Sequence, residues 1–196
     1  LNLLPDGQFQ MRMIYQEREG SGFDQIGLWS TEKGKLIFKD GTRVVEQFQI
    51  KGKTVDLTKL DMDGAPIPSK LDYTLRHKDL FQPMKPRLRL QGVFIYFADA
   101  PRFTPCATGI SMPVLMKDDY LALEKAYLAA NKEPGAPRLV ELDAQILKQP
   151  RMEGEGSEHA LRVQKFIQLA QGDSCPTNAA SANPATPPAI EDKTWN

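Results

Sequence analysis

Turn signals recur about every ten residues through the first eighty positions, and no helical period fits between them. Asp-Gly pairs at positions 6–7, 40–41 and 63–64 mark three of these turns. The runs between the turns are short, and residues 8–15 place four apolar or aromatic side chains on one face. This spacing predicts an antiparallel meander that closes toward a barrel.

The second half of the chain is organised around one long stretch with a different pattern. It opens with an apolar, aromatic and β-branched strand at 88–97, and a later apolar run covers 110–116. A helix at 118–131 completes the stretch, with Asp118 and Asp119 as candidate caps. The order of these elements predicts three strands followed by one helix.

Two further apolar runs follow the helix. Residues 138–147 alternate as a half-buried strand does, whereas the periodicity of residues 160–169 fits a strand or a helix, and we favour a strand. Three strands, a helix and two strands predict a small Greek-key barrel of the oligomer-binding (OB) type. The predicted fold class is therefore mainly β, with two small barrels, the N-terminal one incomplete and the C-terminal one carrying the helix.

Composition divides the chain into four parts. We predict a barrel domain at 1–80, a proline-containing linker at 81–86, and an OB domain at 87–176. Residues 177–196 are mostly Ala, Pro, Asn, Thr and Ser. Because so few of these side chains can be buried, we expect a disordered tail there.

The net charge of the chain and its first residues bear on which partners and which assembly we expect. Twenty-five basic and twenty-five acidic side chains cancel, so no electrostatic argument favours nucleic acid or an anionic membrane surface as partner. The chain begins without Met inside what resembles a strand, and we interpret it as a mature or trimmed fragment. A missing first strand would leave an open seam in the N-terminal barrel. We therefore predict a homodimer that covers the seam, either by a neighbour's strand or by a segment swapped at residues 78–86.

Two cysteines, Cys106 and Cys175, are too far apart for a sequence-local metal or redox motif. They form either a disulfide or two separate buried thiols. We favour the disulfide because the polar, proline-flanked surroundings of Cys175 bury a thiol poorly, and a bridge over so long a loop contributes about 4 kcal/mol. A disulfide implies an oxidising compartment.

Met11 and Met13 are the weak candidates for a metal site. They lie two apart on one strand face, and thioethers suit Cu(I). Phe9 and Tyr15 share that face, however, and Met is well suited to filling a core. Core packing is the favoured interpretation, so no metal ligand is assigned.

The sequence gives little evidence for an enzyme active site or a nucleic-acid-binding site. His77 and His159 are far apart and lie in polar segments, which favours solvated surface positions. No nucleophile turn, phosphate-binding loop or dinucleotide fingerprint occurs, and no catalytic residue is assigned. Phe94, Tyr96 and Phe103 could stack on bases, but alternation assigns the first two to the core. We expect no enzyme activity and no nucleic-acid binding.

Seven ordered motifs carry a family resemblance. They are LLPDG at 3–7, IGLW at 26–29, LDMDG at 60–64, LDYTLR at 71–76, QGVFIYFADA at 91–100, FTPCATG at 103–109 and LEKAYL at 123–128. The first four resemble the N-terminal lipocalin-like barrel of the NlpE family. The last three resemble that family's C-terminal OB-type domain.

The resemblance implies an outer-membrane lipoprotein on the periplasmic face, lipid-anchored in its precursor. It implies a sensor or adaptor for Cpx-type envelope stress and surface adhesion, with an envelope sensor or another periplasmic protein as partner. It also implies a Cys106–Cys175 disulfide. The family's lipid-modified Cys and Cys-x-x-Cys pair do not occur here, so no cofactor is assigned to this chain and copper is considered only for the full-length protein. The alternative is a lipid-like small-ligand carrier or a copper-binding carrier that uses the N-terminal barrel.

Overall fold

The computed structural model describes residues 1–14, 22–52, 55–131, 133–151 and 154–176, and the backbone of Lys193–Trp195. Contacts divide the chain into two compact units, Leu1–Met84 together with the C-terminal segment, and Lys85–Thr177. Within the described residues, no helix is both long and apolar enough to cross a membrane.

Unit 1 is one nine-stranded sheet in which each pair of neighbours is antiparallel. Its strands are β1 (Asn2–Leu3), β2 (Gln8–Met13), β3 (Phe23–Glu32), β4 (Lys35–Asp40), β5 (Arg43–Lys51), β6 (Asp56–Lys59), β7 (Thr74–Leu75), β8 (His77–Lys78) and β14 (Lys193–Trp195). The spatial order is β7-β6-β5-β4-β3-β2-β1-β14-β8. Sequential strands therefore pair from β1 to β7, as the turn spacing predicts, and the sheet stays an incomplete barrel.

Aromatic side chains fill the core of unit 1. The rings of Phe9 and Phe38 stack with centroids 4.4 Å apart, and Phe48 lies 5.3 Å from Phe38. Gly27 leaves room for this ring stack because it has no side chain. A Cβ at position 27 would lie 2.1 Å from the Lys39 carbonyl oxygen and 2.6 Å from the Phe9 ring. No side chain fits at position 27 without displacing backbone.

Unit 2 is a closed barrel with the order β10-β11-β13-β12-β9. Its elements are β9 (Arg87–Phe97), β10 (Ala100–Pro105), β11 (Met112–Leu115), α1 (Tyr120–Ala130), β12 (Arg138–Pro150) and β13 (Ser157–Leu169). β11 and β13 are the parallel pair, as closure of a five-stranded Greek-key barrel requires. The OB-type prediction is confirmed, and residues 160–169 are a strand.

The helix begins at Tyr120, two residues later than predicted, with Asp119 at the N-cap position and Asp118 at a positive φ of 56°. The side chains of both aspartates bond to β13 instead of to the first helical turn. The Asp118 carboxylate pairs with the Arg162 guanidinium, with Nη2 3.0 Å from Oδ1. The Asp119 carboxylate accepts a hydrogen bond from the Phe166 backbone N–H at 2.7 Å and makes no side-chain cap bond. These two bonds tie the helix start to the barrel wall.

The C-terminal segment differs from the predicted tail at Lys193–Trp195, which forms β14 between β1 and β8. Asn2 pairs with Thr194 on one side and Lys78 pairs with Thr194 on the other. Backbone pairing needs no apolar side chains, which is why composition gave no sign of this strand. The rest of the predicted tail, 177–192 and 196, lies outside the described residues. The β1 edge that motivated the homodimer prediction is thus paired within the chain itself.

Candidate functional site

The disulfide predicted from the sequence joins Cys106 to Cys175, with Cα atoms 5.5 Å apart. Cys106 follows β10 and is buried, and its backbone N–H donates to the Gln91 carbonyl at 2.9 Å. Cys175 lies beyond the last barrel strand. The bridge fastens the segment after β13 to the barrel, and neither sulfur is available as a thiolate ligand.

A cavity of about 310 Å³ opens on unit 1 between strands that are distant in sequence. Met11 and Met13 from β2, Phe48 from β5 and Leu75 from β7 contribute apolar walls. Half-buried Tyr73 adds an aromatic ring. A volume of this size is at the lower end of small-ligand sites.

Charged side chains of both signs line the same cavity. Lys59 Nζ lies 2.8 Å from the Glu46 carboxylate, and the Glu46 side chain is largely buried. Arg12 donates two hydrogen bonds of 2.7 Å to Asp24, which raises the pKa of the guanidinium. Hydrogen bonds from Thr74 hold the pKa of the Asp72 carboxyl below its usual range. Walls of this kind can hold a small amphipathic molecule, since an apolar body and a polar end both find contacts.

The structure brings the two candidate metal ligands to this one cavity. Met11 is 5% exposed and belongs to the core cluster, as the core-packing interpretation predicts. Met13 is half-buried and packs against that cluster. In the described ranges, no group of three or more His, Cys, Asp or Glu side chains could hold a metal ion. A copper role for the pair stays a prediction.

The two histidines lie in different units. His77 is half-buried on β8, its backbone N–H donates to Asp56 Oδ1 at 3.1 Å, and its Nδ1 lies 3.8 Å from Asp79. His159 is half-buried on β13, where it pairs in register with Lys148. Both histidines are thus more buried than the predicted solvated positions.

The aromatic residues considered for base stacking lie mainly inside the barrel. Phe94 and Phe103 are fully buried, and Phe94 meets the Tyr127 ring edge-on at 5.1 Å. Tyr96, predicted on the same core face as Phe94, is only half-buried, and its hydroxyl donates to Asp99 at 2.7 Å. Gly92 leaves room for Phe103, since a Cβ there would lie 2.4 Å from Cζ of that ring. These rings serve packing, with Tyr96 as the exception.

Sequence reasoning missed the charged half of the unit 1 cavity. Glu46, Lys59 and Asp72 come from three separate strands or loops, and only the β5–β6–β7 register brings them to one place. Each residue alone resembles an ordinary polar strand residue. No local pattern in the sequence indicates that these three side chains meet.

Two family models match the chain in sequence order. The NlpE N-terminal domain matches residues 1–70, and the NlpE C-terminal OB domain matches residues 84–176. The boundary between the two matches agrees, to within one residue at the start of the second match, with the boundary between the two units that contacts define. Both halves of the chain therefore resemble the same family in the same arrangement.

A curated protein and a solved structure are similar to this chain. Lipoprotein NlpE of Escherichia coli strain K12 is 34% identical over 145 residues, which cover 73% of this chain and 59% of that protein. The chain thus spans about three fifths of that relative's length. The crystal structure of the Cpx pathway activator NlpE from Escherichia coli is 28% identical, covering 86% of this chain and 84% of that one with a TM-score of 0.38. On the two family matches and the curated relative, this chain belongs to the NlpE family.

Proposed function

We propose that this protein is a non-enzymatic envelope protein that reports envelope stress to a Cpx-type signalling pathway. The observation that carries the proposal is the 34% identity to lipoprotein NlpE over 73% of the chain. The solved Escherichia coli NlpE is described as an activator of the Cpx pathway. In this proposal the protein acts by binding an envelope sensor, and its two β units supply the binding surfaces.

The proposed location is the periplasmic face of the outer membrane, with a lipid anchor in the precursor. The relative's name as a lipoprotein supports this. The Cys106–Cys175 bridge supports it independently, because disulfides form and persist in oxidising compartments and are rare in the cytosol. Surface adhesion and copper homeostasis are further parts of the family proposal, and they rest on membership alone.

A reporter experiment tests the signalling proposal. The protein would be produced in the envelope of a bacterium that lacks its own NlpE and carries a Cpx-regulated reporter. We expect reporter output to rise several-fold with protein level, while an unrelated envelope lipoprotein at equal abundance leaves it unchanged. Equal output from both proteins would contradict the proposal.

The unit 1 cavity supports a second candidate, a carrier of a small lipid-like molecule. Its apolar walls and its volume of about 310 Å³ favour an amphipathic ligand. The hydrophobic dye N-phenylnaphthylamine would probe it by fluorescence. We expect Met13→Lys to weaken dye binding about tenfold, because a charge would enter the apolar wall.

Ile14→Lys is the matched control for the dye experiment. Ile14 is the next residue along the chain, is 71% exposed, and does not line the cavity. It should therefore leave dye affinity unchanged. Equal effects of the two substitutions, or no dye binding by the wild-type chain, would dispose of the carrier function.

A further inference from the structure

A groove of about 320 Å³ lies on unit 2, between the β9–β10 turn and the C-terminal half of α1. Phe97 and Leu128 contribute apolar side chains to its lining, and Tyr96 contributes an aromatic ring. Asp99 and Glu133 contribute carboxylates to the same lining. The groove is separate from the unit 1 cavity and from the disulfide.

The turn beside the groove is held in a strained conformation. Ala98 and Asp99 have φ values of +49° and +59°, and Phe97 pairs with Ala100 across them. Two successive left-handed residues define a tight hairpin turn that usually contains Gly or Asn, so Ala98 is costly there. Gly135 approaches the other side of Phe97, where a Cβ would lie 3.3 Å from the ring. The Phe97 ring thus lies close to the Gly135 backbone and is still 59% exposed.

Two carboxylates, those of Asp99 and Glu124, lie close to the groove's tyrosine. The Tyr96 hydroxyl donates to Asp99 at 2.7 Å, and the Tyr120 hydroxyl donates to Glu124 at 3.4 Å. The bond to Asp99 and the nearby negative charges of Asp99 and Glu124 raise the pKa of Tyr96 to about 12. Among the described residues, no Lys, Arg or His nitrogen lies within 4.0 Å of either carboxylate. The negative potential here is available to an external cation.

Large apolar side chains border these carboxylates. Phe97, Leu121 and Leu128 are 59%, 54% and 53% exposed. Leu121 and Leu128 are seven residues apart on α1 and therefore share one helix face, with Glu124 on the adjacent turn. Exposed apolar side chains that border a groove are typical of a protein-binding surface.

The chemistry of the surface selects one kind of occupant. Nucleic acid or an anionic lipid surface would be repelled by Asp99, Glu124 and Glu133. A small cation would satisfy the carboxylates and leave the leucines uncovered. We propose that this groove binds a polypeptide segment of a partner protein in which a Lys or Arg adjoins an aliphatic residue. The aliphatic side chain covers Phe97 and Leu128, and the cation meets Asp99, Glu124 and the face of Tyr96.

This proposal does not rest on the signalling function, and its test uses purified full chain alone. A display library of random twelve-residue peptides would be selected against the protein, and the best binder mapped by amide NMR. We expect enriched peptides to pair Lys or Arg with Leu, Ile or Val, and the largest shifts to fall at Phe97, Asp99 and Leu128. Failure of the library to enrich, enrichment of acidic peptides, or shifts elsewhere would overturn the proposal.

Substitutions that remove the groove's charges without unfolding the protein then test the role of the carboxylates. Asp99→Asn combined with Glu124→Gln should weaken the selected peptide about tenfold, since both cation contacts are lost. Asn tolerates the left-handed conformation at position 99, so the turn is retained. Lys125→Gln, which removes a basic side chain from the same helix, should strengthen binding severalfold.

Two controls complete the test. Leu128→Ser should weaken binding without altering its salt dependence, because it removes apolar contact only. Glu155→Gln removes an exposed carboxylate elsewhere in unit 2 and should leave affinity unchanged. Equal affinity of Glu155→Gln and the Asp99→Asn, Glu124→Gln variant would refute the role of the groove carboxylates. For each variant, an NMR spectrum that matches the wild type away from the substituted positions confirms that the protein is folded.

Discussion

The Cys106–Cys175 bridge encloses a sequence separation of 69 residues that includes the helix and both long barrel strands. Cross-linking restricts the unfolded chain more than the folded one, and a loop of this length contributes about 4 kcal/mol in the chain-entropy model. At the scale of single residues, this bond is therefore expected to stabilise unit 2 substantially.

Replacing both cysteines with serine should therefore lower the free energy of unfolding of unit 2 by about 4 kcal/mol. Urea unfolding of the full chain, followed by circular dichroism, measures the loss. Reductant should produce a similar loss in the wild-type chain and none in the variant. An unchanged unfolding midpoint in the variant would show that the bridge contributes nothing.

The Asp118 carboxyl provides a pH-dependent prediction. Its hydrogen bond from Arg162 lowers its pKa below the usual Asp range. A lowered folded-state pKa stabilises the fold above the unfolded-state pKa of about 3.9, and the contribution is lost as pH falls through the folded value. NMR titration should find Asp118 below the usual range, and Arg162→Gln should return it there. An ordinary value in the wild type would contradict the ion pair.

At the scale of elements, the β9–β10 turn is the place where local sequence and backbone disagree. Ala98 adopts φ of +49°, a region in which a Cβ is unfavourable by about 1–2 kcal/mol. Strain of this kind persists where the surroundings fix the conformation, and it is frequent at binding surfaces. Here the turn borders the groove that we assign to a partner segment.

Ala98→Gly should raise the free energy of unfolding by about 1 kcal/mol, because glycine relieves the strain at a position that is exposed and makes little packing. Thermal unfolding checks this. Ala129→Gly, an exposed position inside α1, is the control and should destabilise by a similar amount. Destabilisation by both substitutions would mean that position 98 is not left-handed in solution.

Elements with local signals were predictable and those with tertiary causes were not. The strand β9 follows from its apolar run, β12 from its alternation and α1 from its apolar stripe, whereas the pattern of β13 fitted a strand or a helix. Its first residue was misplaced because Asp118 and Asp119 resemble caps but bond to β13. That choice depends on a strand forty residues later in the chain, which no local pattern reports.

The candidate sites show the same division. The disulfide was predictable because Cys is rare and its surroundings are informative. The unit 1 cavity and the unit 2 groove are formed by residues from separate elements, so their members have no shared sequence signature. Strand β14 was missed because its backbone pairing with β1 and β8 joins segments that are far apart in the sequence.

At the scale of the whole molecule, β14 decides whether the β1 edge of unit 1 is covered. Thr194 is the register partner of both Asn2 and Lys78. Thr194→Pro removes a backbone donor from this pairing and should expose the β1 edge. We expect lower stability of unit 1 and more self-association than in the wild type, as measured by light scattering at several concentrations.

Thr194→Ala keeps the backbone donor and is the matched control for this prediction. It should match the wild type in both stability and mass. Identical behaviour of the proline and alanine variants would mean that β14 does not cover the β1 edge in solution.

We propose that this NlpE-family chain acts by binding an envelope sensor. Isothermal titration of the disulfide-bonded full chain with the periplasmic domain of a Cpx-type sensor kinase tests it most directly. We expect saturable binding of the full chain to the sensor domain, with a micromolar or tighter Kd. Absence of any binding heat, together with no retention of the sensor domain on immobilised protein at micromolar concentration, would contradict it.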